Sequence, residues 1–225
     1  MKKFLLSLFL IFSVVSIFSV PLEEFVLNNF NNAFTAAKLT DKNVVVMFST
    51  PTCPACNQFK QTTLLNEEVQ NWLRTEYVFV EIYPTNEKAI FQGNEYTHGQ
   101  LFYALGARYT PTFIFFDSEQ NPFGAITGSY PPEIFIDVLK YVIYEGNEKI
   151  SLDQFIQDNL GEKVEISPKT IYLKEEEIDK LLEIDPNTKL YSNGKTFDPY
   201  TNVIFSEETD LKNFENYFVK IIKSK

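Results

Sequence analysis

The stretch Val44-Val45-Val46-Met47-Phe48-Ser49-Thr50-Pro51-Thr52-Cys53-Pro54-Ala55-Cys56 decides how this chain is read. Residues 44–49 form a short, nearly continuous apolar run, the pattern of a strand buried on both faces of a sheet. Pro51 and Pro54 interrupt it, and a helix is expected to begin around Cys53 and run through Phe59 to about Thr63. Cys53 then sits in the first turn and Cys56 one turn on, on the same face and close enough to bond. A helix N-terminus carries about half a positive charge, which favours a thiolate there. Cys53, the more exposed of the two, is expected to attack, and Cys56 to resolve the mixed disulfide that results.

These are the only cysteines in 225 residues. A structural staple normally joins distant segments, because a longer closed loop constrains the unfolded chain more. Two intervening residues constrain almost nothing, so the spacing favours chemistry over stability. A zinc half-site needs two further ligands. The only other soft or borderline ligand is His98, in a polar stretch where a surface position is expected. No metal and no cofactor are therefore expected.

Working outward, residues 22–39 have the apolar spacing of a helix, through Leu22, Phe25, Val26, Phe30, Phe34 and Ala37. Asn66 reads as an N-cap, with Glu67 and Glu68 in the first turn and Val69, Trp72 and Leu73 facing inward. Residues 77–83 read as a second buried strand carrying Glu81, residues 84–99 as polar and irregular, and residues 100–108 as a helix. A strand over 112–117 follows Pro111; residues 118–121 turn it into a partner strand over 123–127. Pro131 and Pro132 open a helix through Tyr144. Beyond residue 151 no motif is recognisable. Residues 173–182 read as a helix, 192–195 as a turn and 202–205 as a strand. Leu211, Phe214, Phe218, Ile221 and Ile222 read as an amphipathic last helix.

The order of these elements, with a dithiol at the end of the first buried strand, resembles the thioredoxin-like family over roughly residues 21–146. Two motifs carry the resemblance: the quoted stretch, and Tyr109-Thr110-Pro111-Thr112-Phe113-Ile114-Phe115-Phe116. It implies an α/β thioredoxin-like fold, a central mixed sheet flanked by helices, with a small C-terminal α/β extension. It also implies a cis Thr110–Pro111 bond lying against the disulfide. Thr110, Pro111, Pro54 and Ala55 would then meet the substrate, with Thr110 offering its backbone to an extended chain. The chain departs from cytoplasmic thioredoxin at Met47, where the family has a buried Asp, and at Ser49 and Thr52, where it has tryptophan near the site. The intervening dipeptide is Pro-Ala, not Gly-Pro. Glu81, on the neighbouring strand, is the candidate replacement for the missing proton acceptor; the alternative is a sheet-edge or surface carboxylate.

Lys2 and Lys3 followed by an apolar run over residues 4–18 have the layout of a secretory signal peptide, with Ser19 a candidate cleavage residue. Residues 1–19 are assigned to it, 20–160 to the thioredoxin-like domain and 161–225 to an extension of unnamed role. The expected location is periplasmic or extracellular, with signal anchoring as the lesser alternative. The net charge is −10, and more negative once those two lysines are removed, a balance that repels nucleic acid. The resemblance implies thiol–disulfide exchange with exported proteins, supplied by a membrane or soluble electron donor. The lack of a large helical insertion, which strong oxidants of this fold carry, tilts the direction toward reduction. The rival account is a binding or assembly module with an inert disulfide.

Overall fold

The computed structural model describes residues 19–206, 209 and 211–225. The candidate signal peptide lies almost wholly outside the described residues. Among the described residues, no helix is long and apolar enough to cross a membrane.

The first sheet has the order β1-β3-β2-β6-β7. Its strands are β1 (Val26–Leu27), β2 (Asn43–Phe48), β3 (Tyr77–Ile82), β6 (Thr112–Phe116) and β7 (Pro122–Thr127). β1, β3 and β2 run parallel, while β6 and β7 run antiparallel to their neighbours. The sheet is therefore mixed. β2, the quoted apolar run, lies at its centre with Val44 to Phe48 fully buried.

Alternation along the strands divides the core in two. Val44, Val46 and Phe48 face α1 (Phe30–Thr40) and α4 (His98–Ala104). Val45 and Met47 face α2 (Pro54–Gln61), α3 (Glu67–Glu76) and α5 (Pro132–Ile143). On that second face Phe59 meets Phe113 and Phe135 at ring separations of 4.7 and 4.9 Å. α6 (Leu152–Gln157) folds back on α5 through Phe155, which touches Tyr141 and Tyr144.

Three stretches differ from the sequence expectation. The helix expected over 22–39 begins only at Phe30. Asn29 caps it, its side chain accepting the Asn32 N–H at 2.9 Å, and the residues before it supply a 3-10 turn and the short β1. An asparagine that bonds its own backbone in an extended conformation outweighs the apolar spacing. The polar stretch 84–99 contains a hairpin, β4 (Lys88–Phe91) and β5 (Asn94–Thr97). Its two-residue turn, Gln92-Gly93, has both φ values positive, 48° and 78°, the geometry that suits the twist of a hairpin.

The expected last helix is absent. Leu211–Asn213 is a single 3-10 turn, and Lys220–Ser224 is a strand, β11. It lies inside an all-parallel sheet of order β8-β11-β10-β9, with β8 (Lys169–Leu173), β9 (Thr188–Leu190) and β10 (Asn202–Phe205). Ile221 and Ile222 face opposite sides of that sheet, so adjacent burial, not helical periodicity, was the signal. α7 (Glu175–Ile184) covers one face and packs on α1, joining Leu181, Ile184, Ile204 and Ile222 to the first core. Phe214 and Phe218 close the other face against Phe205.

Candidate active site

β2 ends at Phe48, and the chain turns through Thr50, whose carbonyl accepts the Cys53 N–H at 3.1 Å. That turn brings Cys53 to the N-cap of α2, with Pro54 in the first turn, where its missing N–H goes unneeded. The Cys53 sulfur accepts the backbone N–H of Cys56 at 3.1 Å. The two cysteines are joined by a disulfide, their Cα atoms 5.3 Å apart. Cys53 is 7% exposed and Cys56 0%, so an incoming thiol reaches Cys53 first.

The segment before β6 closes the other side. The Thr110–Pro111 peptide is cis, and the Cys53 sulfur lies 3.4 Å from the Thr110 carbonyl oxygen. In the disulfide that sulfur has no hydrogen, so this is a contact; once reduced, the Cys53 thiol has an acceptor there. Pro111 is buried, its carbonyl held by the Gly128 N–H at 2.9 Å, and Thr110 is half-buried. Pro54 is exposed and Ala55 half-buried. Cys53, Pro54, Ala55, Thr110 and Pro111 thus flank one disulfide, although 57 residues separate Cys53 from Thr110.

Glu81 is in β3 opposite Met47, on the face that packs beneath α2. Its side chain is 12% exposed and ion-paired: Lys60 Nζ lies 3.0 Å from Oε1 and donates to Oε2 at 3.3 Å. Lys60 also donates to the Tyr83 hydroxyl at 3.2 Å. Burial works against the charge on Lys60, but its hydrogen bonds to Glu81 and Tyr83 outweigh it and raise its pKa. Glu81 is therefore neither a sheet-edge nor a free surface carboxylate. Lys60 and Tyr83 were not singled out from sequence. The spacing of Lys60, one helical turn past Cys56, was a usable signal.

His98 departs from its expected surface position. It opens α4 at 2% exposure, with Nδ1 3.8 Å from Glu87, and burial lowers its pKa. Its N–H bonds to the Glu87 carbonyl at the base of the hairpin, and the Thr97–Gln100 capping box fixes that helix start. A groove of about 920 Å³ runs from Thr110 and Thr50 between Pro84 and α4, past Phe102, Tyr103 and Tyr109. Tyr103 and Tyr109 are 90% and 74% exposed, apolar surface that the sequence did not mark as part of the site.

The chemistry open to this arrangement is thiol–disulfide exchange: an accessible sulfur at a helix N-terminus, and a buried partner one turn on. No curated protein matches the chain. Among solved structures, a thioredoxin-fold protein from Helicobacter pylori matches at 18% identity, covering 65% of this chain and 93% of that one, with TM-score 0.47. A thioredoxin from Thermus thermophilus matches at 25% identity over 53% and 89% of the two chains, TM-score 0.43. The C-terminal domain of DsbD from Neisseria meningitidis, in its oxidised form, matches at 25% identity over 47% and 84%, TM-score 0.38. The family model described as a thioredoxin-like domain matches residues 30–143, half of the chain, with Cys53, Cys56 and Pro111 inside it. The chain belongs to the thioredoxin-like family.

Proposed function

We propose that the protein is an exported thiol–disulfide oxidoreductase that reduces disulfides in other exported proteins. The observation that supports this best is the N-capping Cys53, its sulfur bonded by the Cys56 N–H and facing the Thr110 carbonyl. A thiolate on Cys53 would keep that N–H and gain the helix field, which lowers the energy of the attacking species. In the reaction, the Cys53 thiolate attacks one sulfur of a client disulfide, forming a mixed disulfide and releasing the client's other thiolate. Cys56 loses its proton and attacks Cys53. The bond between Cys53 and the client breaks, and the client leaves as a dithiol, two electrons richer. Glu81 is the candidate acceptor of the Cys56 proton. An upstream dithiol donor, in the membrane or soluble, would restore the pair.

The test is the reduction potential of the Cys53–Cys56 pair, equilibrated with a defined dithiol buffer. A value near about −270 mV supports a reductant, and one near about −120 to −180 mV reverses the direction to oxidant or isomerase. A pair that does not exchange with the buffer removes the enzyme and leaves a binding module with an inert disulfide.

A further inference from the structure

Two residues that line the groove beside α4 touch Cys53 directly. The Thr50 carbonyl accepts the Cys53 N–H at 3.1 Å, and the Thr110 carbonyl oxygen lies 3.4 Å from its sulfur. The groove therefore starts at the reactive sulfur and leads away from it along α4. Its frame is fixed by core and backbone. Phe102 is buried against Phe48, ring centroids 4.8 Å apart, which ties α4 to β2. Gly106, at φ +71°, turns the chain back after α4, and the Ala107 N–H closes that turn on the Phe102 carbonyl at 2.8 Å. The Thr112 hydroxyl then donates to the Tyr109 carbonyl at 2.7 Å. On this fixed frame the Tyr103 and Tyr109 side chains stand in solvent. Two large aromatic side chains left uncovered beside a reactive sulfur are surface that gains by being covered.

Arg108, between Tyr109 and the turn, is exposed and is the one charged residue lining the groove among the described residues. The chain as a whole is acidic, at −10. At physiological salt, charges beyond about 8 Å are largely screened, so a group in the groove meets Arg108 before it meets the net charge. A volume of about 920 Å³ is at the upper end of the roughly 300–1,000 Å³ that takes a small ligand whole, room for a short run of side chains.

We propose that this groove selects the client: an extended polypeptide with an aromatic or large aliphatic residue and a carboxylate on one flank of its disulfide cysteine. The proposal rests on the oxidoreductase reading and adds to it which disulfides are attacked fastest. The apolar side chain packs against the Tyr103 and Tyr109 rings, and Arg108 donates to the carboxylate. Because the groove is open to solvent and joins the sulfur, a chain can lie in it while its cysteine stays at Cys53. A small disulfide reaches Cys53 without filling the groove and gains nothing from it.

The experiment uses the full chain carrying Cys56→Ser, which holds the Cys53 adduct for counting by mass. The probes are short peptides, each a symmetric dimer through one central cysteine, so that attack at either sulfur leaves the same adduct. One flank carries Phe and Glu, Phe and Lys, Ser and Glu, or Ser and Lys, placed before the cysteine in one set and after it in the other. Below saturation, the Phe–Glu peptide of one set should react about tenfold faster than its Ser–Lys counterpart. Tyr103→Ala should bring the Phe-to-Ser ratio to within about twofold of unity, and Arg108→Glu should reverse the Glu-to-Lys preference. Each ratio is taken within one protein, so a general change in reactivity cancels. Equal rates for all peptides overturn the proposal and leave the oxidoreductase reading standing, and so do ratios that either substitution leaves unchanged. Self-association of the chain that Tyr103→Ala abolishes also overturns it, assigning the groove to a second copy. If neither the peptides nor hydroxyethyl disulfide yields any adduct, the oxidoreductase reading itself fails and takes the proposal with it.

Discussion

At the residue scale, the two cysteines differ in exposure and in their place on α2, and substitution should separate the two steps proposed for them. Cys56→Ser should let Cys53 form mixed disulfides that persist, visible as client or glutathione adducts by mass spectrometry. Cys53→Ser should form none, because the remaining thiol is fully buried. Glu81→Gln should slow resolution by roughly a hundredfold while leaving adduct formation intact, if the carboxylate is the proton acceptor. The cysteines were legible in sequence because a helix turn fixes their relation locally. The Glu81–Lys60 pair was not, since it joins residues 21 apart and exists only because β3 runs beside β2 under α2. Phe59 supports the whole arrangement from below. It is fully buried between Phe113 and Phe135, so Phe59→Ala should cost about 3–5 kcal/mol by chemical denaturation.

At the element scale, the Asn66 cap and the turn over residues 118–121 were legible in the sequence, while the Asn29 cap and the Gln92-Gly93 turn were not. The Asn66 cap stands as read, its side chain accepting the Val69 N–H at 3.1 Å. The Asn29 cap was overlooked because apolar residues run on both sides of it. Asn29→Ala should cost about 1 kcal/mol, read from the denaturation midpoint, because one orphan N–H at the start of α1 loses its acceptor. Gly93 is needed where it stands for its backbone alone, as nothing lies near the position a Cβ would take. Gly93→Ala should destabilise by about 1–2 kcal/mol, since an L side chain at φ +78° crowds its own carbonyl. β11 shows the opposite failure. Phe214, Phe218, Ile221 and Ile222 match a helical face, yet two neighbouring β-branched residues are buried on opposite sides of a sheet. A short apolar run carries no periodicity that separates these outcomes.

At the scale of the whole molecule, the C-terminal sheet is bound to the thioredoxin-like part by a polar seam at the end of the first sheet remote from the disulfide. Lys42, just before β2, donates to the Arg74 carbonyl and to Asn202 Oδ1, the latter at 2.8 Å. Arg74 reaches Asn187 Oδ1 and Asp198 Oδ2 at 2.8 Å, and Lys220 donates to the Thr40 carbonyl at 2.8 Å. Burial, and then the Lys220 charge, push the Lys42 pKa down to about 7. Arg74 on α3 pushes the same way; Glu76 on α3 and Asp185 after α7 oppose it. A neutral amine keeps two N–H donors, which match the two acceptors it faces.

The consequence for stability has a definite sign. Between about pH 7 and 10.5 the unfolded chain binds the Lys42 proton and the folded chain does not. Stability from this group therefore rises with pH across that window, by up to roughly 5 kcal/mol. Lys220, lowered to about 8 chiefly by burial, adds to the trend. Denaturation of the full chain at neutral and alkaline pH should show the rise, and Lys42→Met should flatten it even if that variant is less stable throughout. Falling stability over the same window in the unaltered protein would contradict the seam as described.

By itself, the sequence determined the parts of this protein that are set within a few residues. These are a central strand from an unbroken apolar run, a reactive pair from one helical turn, and caps from side chains that bond their own backbone. Thr110-Pro111 was placed at the site by the resemblance its motif carries and by no local pattern, and the tertiary structure brings it to the disulfide. The pairing of Glu81 with Lys60 came only through the fold. The C-terminal parallel sheet, and its attachment through Lys42 and Arg74, likewise arose only there. Those relations depend on which strands lie side by side and which faces meet. Burial then makes a distant polar partner mandatory, and no local pattern in the chain states which partner that is.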